Sequence, residues 1–271
     1  MPQTPPVVLS IAGYDPSSGA GVTADIKTIA AHGCYGVTCI TALTVQSTAG
    51  VKRVEALSAR LVSETLAELA ADVSLSAVRL GMLGSGEVAD AVADFIQSRQ
   101  PPHVVLDPIL KSSSGARLAD ERGEEILRRR LLRLAEVVTP NIEEAAELAE
   151  QPVTSLEEMR AAAAKLHELG ARAVVITGGH LADATDLLSR RSQDRDPDQT
   201  LFPAARIPSA ATHGTGCAFA TALACNLALG LALEPAVQNA KDFVAGAITN
   251  AYPLGRGIGP VNHLWNFGVK R

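Results

Sequence analysis

A glycine-rich hexapeptide, THGTGC, occupies residues 212–217 and stands directly before an Ala- and Leu-rich segment of helical character. Gly214 and Gly216 permit a tight turn whose successive N–H groups point at one anion, with the positive end of a helix dipole behind them. The same donors suit a bound phosphate or the equatorial oxygens of a phosphoryl group in transfer. From this stretch alone, a glycine-rich helix start with a buried Cys217 is an equally good interpretation.

Oxygen-bearing side chains that suit Mg²⁺ follow other strand-like runs. Phosphoryl transfer from ATP requires Mg²⁺, which prefers oxygen ligands and keeps part of its water. Asp107 closes the run VVLD, which predicts a carboxylate that faces the triphosphate. Asn141 and Glu144 have N-x-x-E spacing at a helix start, where they suit metal-bound water and phosphate oxygens. The same spacing also suits an N-cap with a first-turn carboxylate, so a purely structural role for this pair stays open.

A second glycine-rich stretch, GAGVTA at residues 19–24, satisfies the GxGxxA pattern of a dinucleotide-binding loop. Two features argue against that function. The residues DPSS intervene between the preceding strand and the glycines, and residues 33–54 contain no Asp or Glu to hold a ribose. A P-loop is excluded because the chain contains no Gly-Lys pair.

Bringing these groups together requires a particular arrangement of strands and helices. Short β-branched runs alternate with longer segments of helical period, which is typical of a parallel sheet covered by helices on both faces. The near-continuous apolarity of the runs suits strands that are buried on both sides. The predicted strands are 7–13, 36–46, 77–83, 103–109, 136–140 and 171–179. The predicted helices are 19–32, 57–71, 85–99, 118–133, 141–150, 154–169, 215–230 and 234–252.

A polar segment at 189–200 separates two further strand-like runs, TDLL at 185–188 and LFPAARI at 201–207. This pattern predicts an antiparallel hairpin at the edge of the sheet. No linker divides the chain, so residues 1–271 are predicted to form a single domain. Ligands collect at the carboxyl ends of parallel strands, and glycines and polar residues follow all six predicted strands. We therefore expect one shared crevice at that edge of the sheet.

Composition narrows the classes of function. A hydrophobic content of 47% is enough for a full core, and a net charge of −5 argues against a nucleic-acid partner. The arginine-dense stretch 124–136 alternates with leucines, as a solvated helix face does. No apolar run approaches the roughly 20 residues that cross a bilayer. The four cysteines form no CxxC pair and the first residues lack signal-peptide character, so we expect a reduced, cytoplasmic protein without a membrane partner.

Eight motifs follow one another over nearly the whole chain: AGYDPSSGAGVTADIKT, ITALTVQST, GML, VVLDP, TPNIEEAAEL, TGGH, HGTGC and GIGPVNH. In this combination the chain resembles the hydroxymethylpyrimidine and phosphomethylpyrimidine kinases of thiamine biosynthesis, within the ribokinase-like superfamily. The pairing of DPSxGAG with GTGC is specific, whereas N-x-x-E and TGG occur across the superfamily.

The resemblance implies an α/β, ribokinase-like fold with a central, mostly parallel sheet flanked by helices on both faces. It implies ATP and Mg²⁺ as cofactors, small-molecule substrates and a homodimer. It also implies two successive transfers from MgATP, first to the alcohol 4-amino-5-hydroxymethyl-2-methylpyrimidine and then to its monophosphate, which yields the diphosphate.

The matching positions receive roles from the same resemblance. Those that would contact the pyrimidine are Gly13, Asp25, Gln46 and Met82. Those that would bind ATP are Asn141, Thr177, Gly178 and Gly179. Asp107 and Glu144 would lie on the metal side, and the catalytic cradle would consist of Gly214, Thr215, Gly216 and Cys217. Gln46 suits its role because a carboxamide offers a donor and an acceptor to an aminopyrimidine edge, although a strand-end Gln bonded to a neighbouring loop is the structural alternative.

Cys217 stands where many ribokinase-like enzymes carry an aspartate as general base. A free thiol has a pKa of about 8.5, which a helix N-terminus lowers, so we expect a thiolate near neutral pH. Only the alcohol acceptor has to lose a proton, because the phosphate acceptor is already anionic. Loss of this thiol is therefore expected to slow the first transfer more than the second.

Three positions depart from the family pattern or are ambiguous. Family members often carry a lysine six residues after the aspartate of DPVM, but here Lys111 stands four residues after Asp107 and Ser113 occupies the later position. Lys111 therefore either turns into the site or faces solvent. Thr177 stands where a lysine commonly precedes the glycine pair. For His213 we favour a loop-anchoring role over acid/base chemistry, because no carboxylate that would orient it is identifiable from the sequence.

Two other functions stay open. A pyridoxal kinase is the nearest alternative, since the two substrate rings are similar in size and both carry hydroxymethyl groups; Gln46 and Met82 favour the pyrimidine. A ligand-binding relative that has lost catalysis is disfavoured by Asp107, Glu144 and Cys217, because binding alone gives no reason for metal ligands and a base.

Overall fold

The computed structural model describes residues 4–111, 115, 117–179, 184–192 and 197–267. Ser113 and the histidine of TGGH, at position 180, lie outside these ranges. Within them, no helix is long and apolar enough to cross a membrane.

The strands form one nine-stranded sheet in the order β3-β2-β1-β4-β5-β6-β7-β8-β9. Their bounds are β1 Val7–Tyr14, β2 Tyr35–Ser47, β3 Gly50–Ala56, β4 Ala77–Leu80, β5 Val104–Leu106, β6 Val137–Val138, β7 Ala173–Ile176, β8 Asp186–Arg190 and β9 Asp198–Phe202. Strands β2, β1, β4, β5, β6 and β7 pair in parallel, whereas β3 pairs antiparallel with β2, and β8 with both β7 and β9. The predicted mostly parallel sheet is confirmed.

Helices cover both faces of this sheet, also as predicted. They are α1 Gly21–Ala31, α2 Ala59–Asp72, α3 Gly86–Arg99, α4 Glu121–Ile126, α5 Leu132–Leu134, α6 Ile142–Ala149, α7 Leu156–Leu169, α8 Thr215–Ala228 and α9 Leu233–Thr249. Alternate strand residues supply the two cores: on β1, Leu9 and Ile11 pack beneath α2 to α7, and Val8 packs beneath α1, α8 and α9. This double burial explains the near-continuous apolarity of the strands.

The predicted helix 118–133 is interrupted, because a π-helical segment, Leu127–Leu131, joins α4 to α5. The arginines of this region make structural contacts. Arg128 donates to the carbonyl oxygens of Leu148 at 2.6 Å and Glu147 at 2.7 Å, and Arg130 donates to Asp94 at 2.7 Å. The first pair of bonds satisfies carbonyls near the end of α6.

Both edges of the sheet differ from prediction. Strand β3 was not expected; it forms a hairpin with β2 and carries exposed polar residues. The β8–β9 hairpin exists, but its strands extend into the polar segment that was predicted to be a loop, and only Leu201 and Phe202 of LFPAARI belong to β9. Polar strand residues are satisfied there: Arg190 donates to Asp198 at 2.6 Å, and the buried Ser189 hydroxyl lies 2.9 Å from His167 Nε2.

The strand order places the end of β1 at a topological switch point. After β1 the chain adds β2 on one side and later β4 on the other. Such a point opens a crevice outside the carboxyl ends of the strands, where ligands bind in sheets of this kind. Gly13 and Met82 lie at this crevice, on β1 and directly after β4.

Candidate active site

The glycine turn of THGTGC forms the N-terminus of α8 as predicted. Gly214 is the N-cap residue and has a φ of +85°. A Cβ at this position would lie 1.8 Å from the carbonyl oxygen of Gly19, so only glycine fits. A Cβ on Gly216 would meet Asp107 Oδ1 at 4.0 Å. The first turn of α8 therefore packs against the DPSSGAG loop and faces the carboxylate that follows β5.

A buried arginine that the sequence analysis missed lies behind this turn. Arg79, on β4, is fully buried; its Nη1 donates to Asp25 Oδ2 at 3.2 Å and its Nη2 donates to Asp107 Oδ2. Burial alone would lower the pKa of Arg79, but the charges of the two carboxylates raise it above its ordinary value. The guanidinium therefore stays charged between β4, α1 and the end of β5. The signal in the sequence was one charged residue inside the apolar run AVRLGML.

Asp25 lies in the same network rather than at an open surface. Its side chain is fully buried, its Oδ1 accepts from Thr221 Oγ1 at 2.7 Å, and its Oδ2 accepts from Ser10 Oγ at 2.5 Å as well as from Arg79. Both oxygens are thus bonded to protein groups. The ligand contact that the resemblance implies for Asp25 requires its buried side chain to become accessible, whereas support of Arg79 requires no change.

Cys217 has a neutral thiol in this structure, contrary to expectation. Burial raises its pKa to about 12; Arg79 opposes this rise, whereas Asp107 and Asp25 add to it. We expected the helix N-terminus to lower the pKa of this thiol, and that expectation is wrong because burial and two nearby carboxylates outweigh the helix dipole. The predicted preference of Cys217 for the first transfer loses its basis, since a protonated thiol accepts no proton.

Asp107 and Glu144 lie close enough to influence each other. Burial raises the pKa of Asp107 to about 6 against the opposing charge of Arg79. The pKa of Glu144 is raised well above its ordinary value by burial first and by Asp107 second. A cation between these groups would relieve the repulsion. Glu144 also forms a capping box with Asn141: each backbone N–H donates to the other side chain at 2.9 Å.

This donor set suits Mg²⁺. Asp107 uses Oδ2 for Arg79 and Glu144 uses Oε2 for Asn141, so each carboxylate has a second oxygen. Among the described residues, no three His, Cys, Asp or Glu side chains cluster as a complete metal site. Mg²⁺ fits such a place because it usually takes one or two carboxylates and completes its shell with phosphate and water.

The residues expected at the nucleotide come together next to Glu144, which Asn141 contacts. Asn141 and Thr177 form an isolated β-bridge, and the N–H of Thr177 donates to Pro140 O at 3.0 Å. Gly178 follows, and its N–H donates to Asp186 Oδ1 at 2.8 Å. The other oxygen of Asp186 lies 2.8 Å from Lys241 Nζ on α9. A buried ion pair thus anchors the glycine pair of Gly178 and Gly179, a connection that the sequence did not indicate.

The residues expected at the pyrimidine lie around the end of β1. A Cβ on Gly13 would lie 2.3 Å from Met82 Cε, so the two residues are in contact and a side chain at position 13 would displace the end of the methionine. Gln46 lies near the end of β2; its amide is 3.1 Å from Thr44 Oγ1 and 3.3 Å from His213 Nε2. The structure therefore brings Gly13 and Met82 together and connects Gln46 to the GTGC loop.

His213 has a carboxylate partner, which the sequence did not reveal. Its Nε2 lies 2.9 Å from Asp15 Oδ2, and Asp15 also accepts the N–H groups of Ala20 at 2.9 Å and Ser17 at 2.8 Å. Burial would raise the pKa of Asp15, but hydrogen bonds from His213 and Ser17 lower it below its ordinary value. Asp15 thus folds the DPSSGAG loop and binds it to the GTGC loop, consistent with an anchoring role for His213.

Lys111 faces solvent. Its side chain is half exposed, and its Nζ lies 2.8 Å from Glu147 Oε2 on α6. This contact agrees with the solvent-facing alternative and leaves Arg79 as the cation next to Asp107.

Comparison with known proteins places this site in a family. The phosphomethylpyrimidine kinase family model matches residues 15–262. The hydroxymethylpyrimidine/phosphomethylpyrimidine kinase of Streptomyces coelicolor is 42% identical over 268 residues, which cover 98% of this chain and 97% of that protein.

Two solved structures share the fold. The ADP complex of Bacillus subtilis pyridoxal kinase has a TM-score of 0.87 at 31% identity and covers 97% of this chain and 99% of its own. The phosphomethylpyrimidine kinase of Clostridium difficile 630 has a TM-score of 0.78 at 32% identity and covers 90% of this chain and 99% of its own. The family match, the full-length relative and the shared fold agree: the chain belongs to the phosphomethylpyrimidine kinase family.

Proposed function

We propose that this protein is an ATP-dependent kinase that phosphorylates 4-amino-5-hydroxymethyl-2-methylpyrimidine and then converts the monophosphate to the diphosphate. One observation supports this proposal above the others. The first turn of α8 packs against the DPSSGAG loop that follows Gly13 and faces Asp107, and Asp107 lies close enough to Glu144, at the helix start beside Thr177, to raise its pKa. A phosphoryl group that moves from ATP to a pyrimidine would pass in front of this turn.

The cradle acts through backbone donors. The N–H groups of Gly216 and Cys217, in the first turn of α8, have no carbonyl partner within the helix and would bind the equatorial oxygens of the transferring group, whereas that of Thr215 donates to Thr212 O at 3.4 Å. These donors are fixed before the reaction, and preorganised donors contribute most to catalysis where charge develops. Gly216 keeps the approach open, because a side chain there would stand against Asp107.

Asp107 and Glu144 would hold Mg²⁺, which when bound neutralises negative charge on the phosphate oxygens. We propose that Asn141, Thr177, Gly178 and Gly179 line ATP on the nucleotide side. On the acceptor side, Gln46 would bind the aminopyrimidine edge and Met82 would pack against the ring. We propose that Asp25 acts indirectly, as the group that holds Arg79.

The acceptor hydroxyl needs little help from a general base to lose its proton. The transition state of phosphoryl transfer is loose in most analyses, so the acceptor oxygen gains little bond order before its proton leaves. The neutral Cys217 would then line the cradle next to Arg79 and Asp107 and would not act as a base. This role serves both acceptors equally.

The test is mass detection of products after incubation of the pyrimidine alcohol with MgATP. We expect the monophosphate first and the diphosphate later. Formation of the monophosphate alone would remove the second activity from the proposal. Binding of MgATP with no product from either acceptor would support a non-catalytic relative instead.

Pyridoxal kinase is the second candidate, because the fold of the Bacillus subtilis enzyme matches this chain with a TM-score of 0.87. Parallel assays of ATP consumption with the pyrimidine alcohol and with pyridoxal decide between the two. A higher kcat/KM for pyridoxal would reverse the assignment.

The homodimer that the resemblance implies is also part of this proposal. Tyr35, Leu43 and Val45 on the long strand β2 are exposed, as association through that strand would require. Light scattering at micromolar concentration tests it. A monomeric mass would contradict the proposal.

A further inference from the structure

The side-chain amide of Gln46 is the centre of a hydrogen-bonded chain that the reaction scheme above does not use. Its Nε2 position lies 3.3 Å from His213 Nε2, and the same ring nitrogen lies 2.9 Å from Asp15 Oδ2. Asp15 is 3% exposed and accepts from the N–H groups of Ser17, Gly19 and Ala20 and from the Ser17 hydroxyl. It is therefore an ionised acceptor, and the proton it shares with His213 belongs to the imidazole.

This proton determines what His213 can offer to Gln46. An imidazole nitrogen that carries hydrogen has no free lone pair, so it cannot accept from an amide N–H. The single Nε2 hydrogen points at Asp15, so the carbonyl oxygen of Gln46 shares it as a three-centre bond, whereas an NH₂ group at this place would find no acceptor on His213. The two ends of a carboxamide have nearly the same shape, so the hydrogen-bond network assigns oxygen and nitrogen.

The contact of Gln46 with Thr44 indicates the same orientation of the amide independently. Thr44 Oγ1 lies 3.0 Å from the carbonyl oxygen of Tyr14 and 3.1 Å from the Oε1 position of Gln46. A carbonyl only accepts, so the single hydroxyl hydrogen of Thr44 goes to Tyr14. Thr44 then has only lone pairs for Gln46, and these require the amide nitrogen at that end.

We infer that Asp15, His213 and Thr44 are positioning residues that hold the Gln46 amide in one orientation, carbonyl toward His213 and NH₂ toward Thr44, and thereby set the acceptor preference. One N–H and one carbonyl lone pair remain for a ligand, in a fixed order along the amide. An aminopyrimidine edge supplies a ring-nitrogen acceptor and an amine donor in matching order. In pyridoxal a formyl group, which only accepts, stands next to the hydroxymethyl-bearing carbon in place of the amine donor, so the matching order is lost. This inference rests on the proposed function, in which Gln46 faces the pyrimidine.

Thr44→Val is the decisive variant, because valine keeps the shape of threonine and removes the lone pairs. We expect kcat/KM for the pyrimidine alcohol to fall about ten-fold, mainly through KM, with little change for pyridoxal and for ATP. Thr44→Ser is the matched control and should restore most of the loss. Where pyridoxal turnover is too slow, its inhibition constant serves in place of kcat/KM.

His213 supplies a second pair of variants. His213→Gln keeps a donor near the position of Nε2 and should retain the ratio of pyrimidine to pyridoxal efficiency. His213→Phe removes the donor and should lower that ratio about ten-fold. Circular dichroism shows whether each variant is folded.

Nitrogen NMR of the His213 ring tests the orientation without an activity assay. We expect hydrogen on Nε2 in the wild-type protein, and a bare Nε2 would overturn the inference. An unchanged efficiency ratio in folded Thr44→Val and His213→Phe would also overturn it. If the wild-type protein forms no phosphorylated pyrimidine, the proposed function fails, and the NMR result still decides the orientation of Gln46.

Discussion

Arg79 and Asp25 form an ion pair in which both side chains are fully buried, with Nη1 and Oδ2 3.2 Å apart. Asp107 binds the same guanidinium, and Arg79 Nε has no hydrogen-bond partner among the described residues. One cation thus balances two carboxylates beneath the candidate active site. Removing the arginine would leave both carboxylates buried without an opposite charge, which is costly in a low-dielectric environment.

Arg79→Met is therefore expected to lower the free energy of unfolding by about 3–5 kcal/mol, because it leaves Asp25 and Asp107 buried and unpaired. Urea unfolding measures the change. Arg79→Lys keeps the charge and should cost less. Arg129→Met is a control: its pair with Glu125 is largely exposed, and its loss should cost less than about 0.5 kcal/mol. Similar losses for Arg79→Met and Arg129→Met would contradict this account.

The ionisation of Cys217 is open to direct titration. Because burial raises its pKa to about 12, we expect no thiolate from this residue below about pH 10 in the ligand-free protein. The ultraviolet absorbance of thiolate, measured as wild type minus Cys217→Ser, reports this residue alone. A difference titration with its midpoint near pH 8 would show that the helix dipole controls the thiol after all.

A neutral Cys217 also has a kinetic consequence. We expect Cys217→Ala to lower kcat for the alcohol and for the monophosphate by similar factors, because a protonated thiol accepts a proton from neither. Separate assays with each acceptor at saturating MgATP compare them. A clearly larger loss with the alcohol would mean that ligand binding ionises the thiol, and the base role would then return.

The nucleotide side depends on the ion pair of Lys241 and Asp186. These side chains are about nine-tenths buried, and Asp186 holds the N–H of Gly178. Lys241→Met should raise KM for ATP several-fold and leave KM for the pyrimidine unchanged, because it frees the carboxylate that orients this loop. Lys165→Met, which removes an exposed pair with Glu168, is the control. Equal increases in KM for ATP and for the pyrimidine would indicate that the substitution disturbs the whole active site instead.

His263 should make stability depend on pH. Burial, together with the charges of Lys27 and His213, lowers its pKa to about 3, whereas the unfolded chain has the ordinary value of about 6.5. The unfolded state then binds the extra proton, so stability is full above pH 6.5 and falls as the pH drops toward 3. Between pH 6 and 5, wild type should lose about 1.2 kcal/mol relative to His263→Gln. The free energy of unfolding is measured with urea at each pH for both proteins. The same pH dependence in the two would contradict the lowered pKa of His263.

The sequence predicted the sheet and the place of the site because both follow from local patterns. Parallel strands have a period and an apolarity that are visible in short windows, and Gly13, Asp107 and Thr177 stand at or just beyond their ends. The pairing of Arg79 was not visible, because its partners lie 54 and 28 residues away in the chain. Strand β3 was missed because its exposed polar residues mask the alternation.

The error about Cys217 has a different origin. A helix N-terminus is visible in the sequence, but the depth of burial and the nearby carboxylates are properties of the packed molecule. The same holds for Asp15 and His213, whose residue types were noted separately and whose contact only the fold reveals.

That contact spans 198 positions in the chain. The DPSSGAG loop is synthesised directly after strand β1, but its partner on the GTGC loop follows only after β9. A nascent chain that lacks α8 has nothing to close the loop around Asp15, and contacts of such long sequence separation form late in folding. The first loop of the site to be made is therefore among the last to acquire its final structure, and a chain cut before α8 would lack the phosphate cradle together with the helices that cover one face of the sheet.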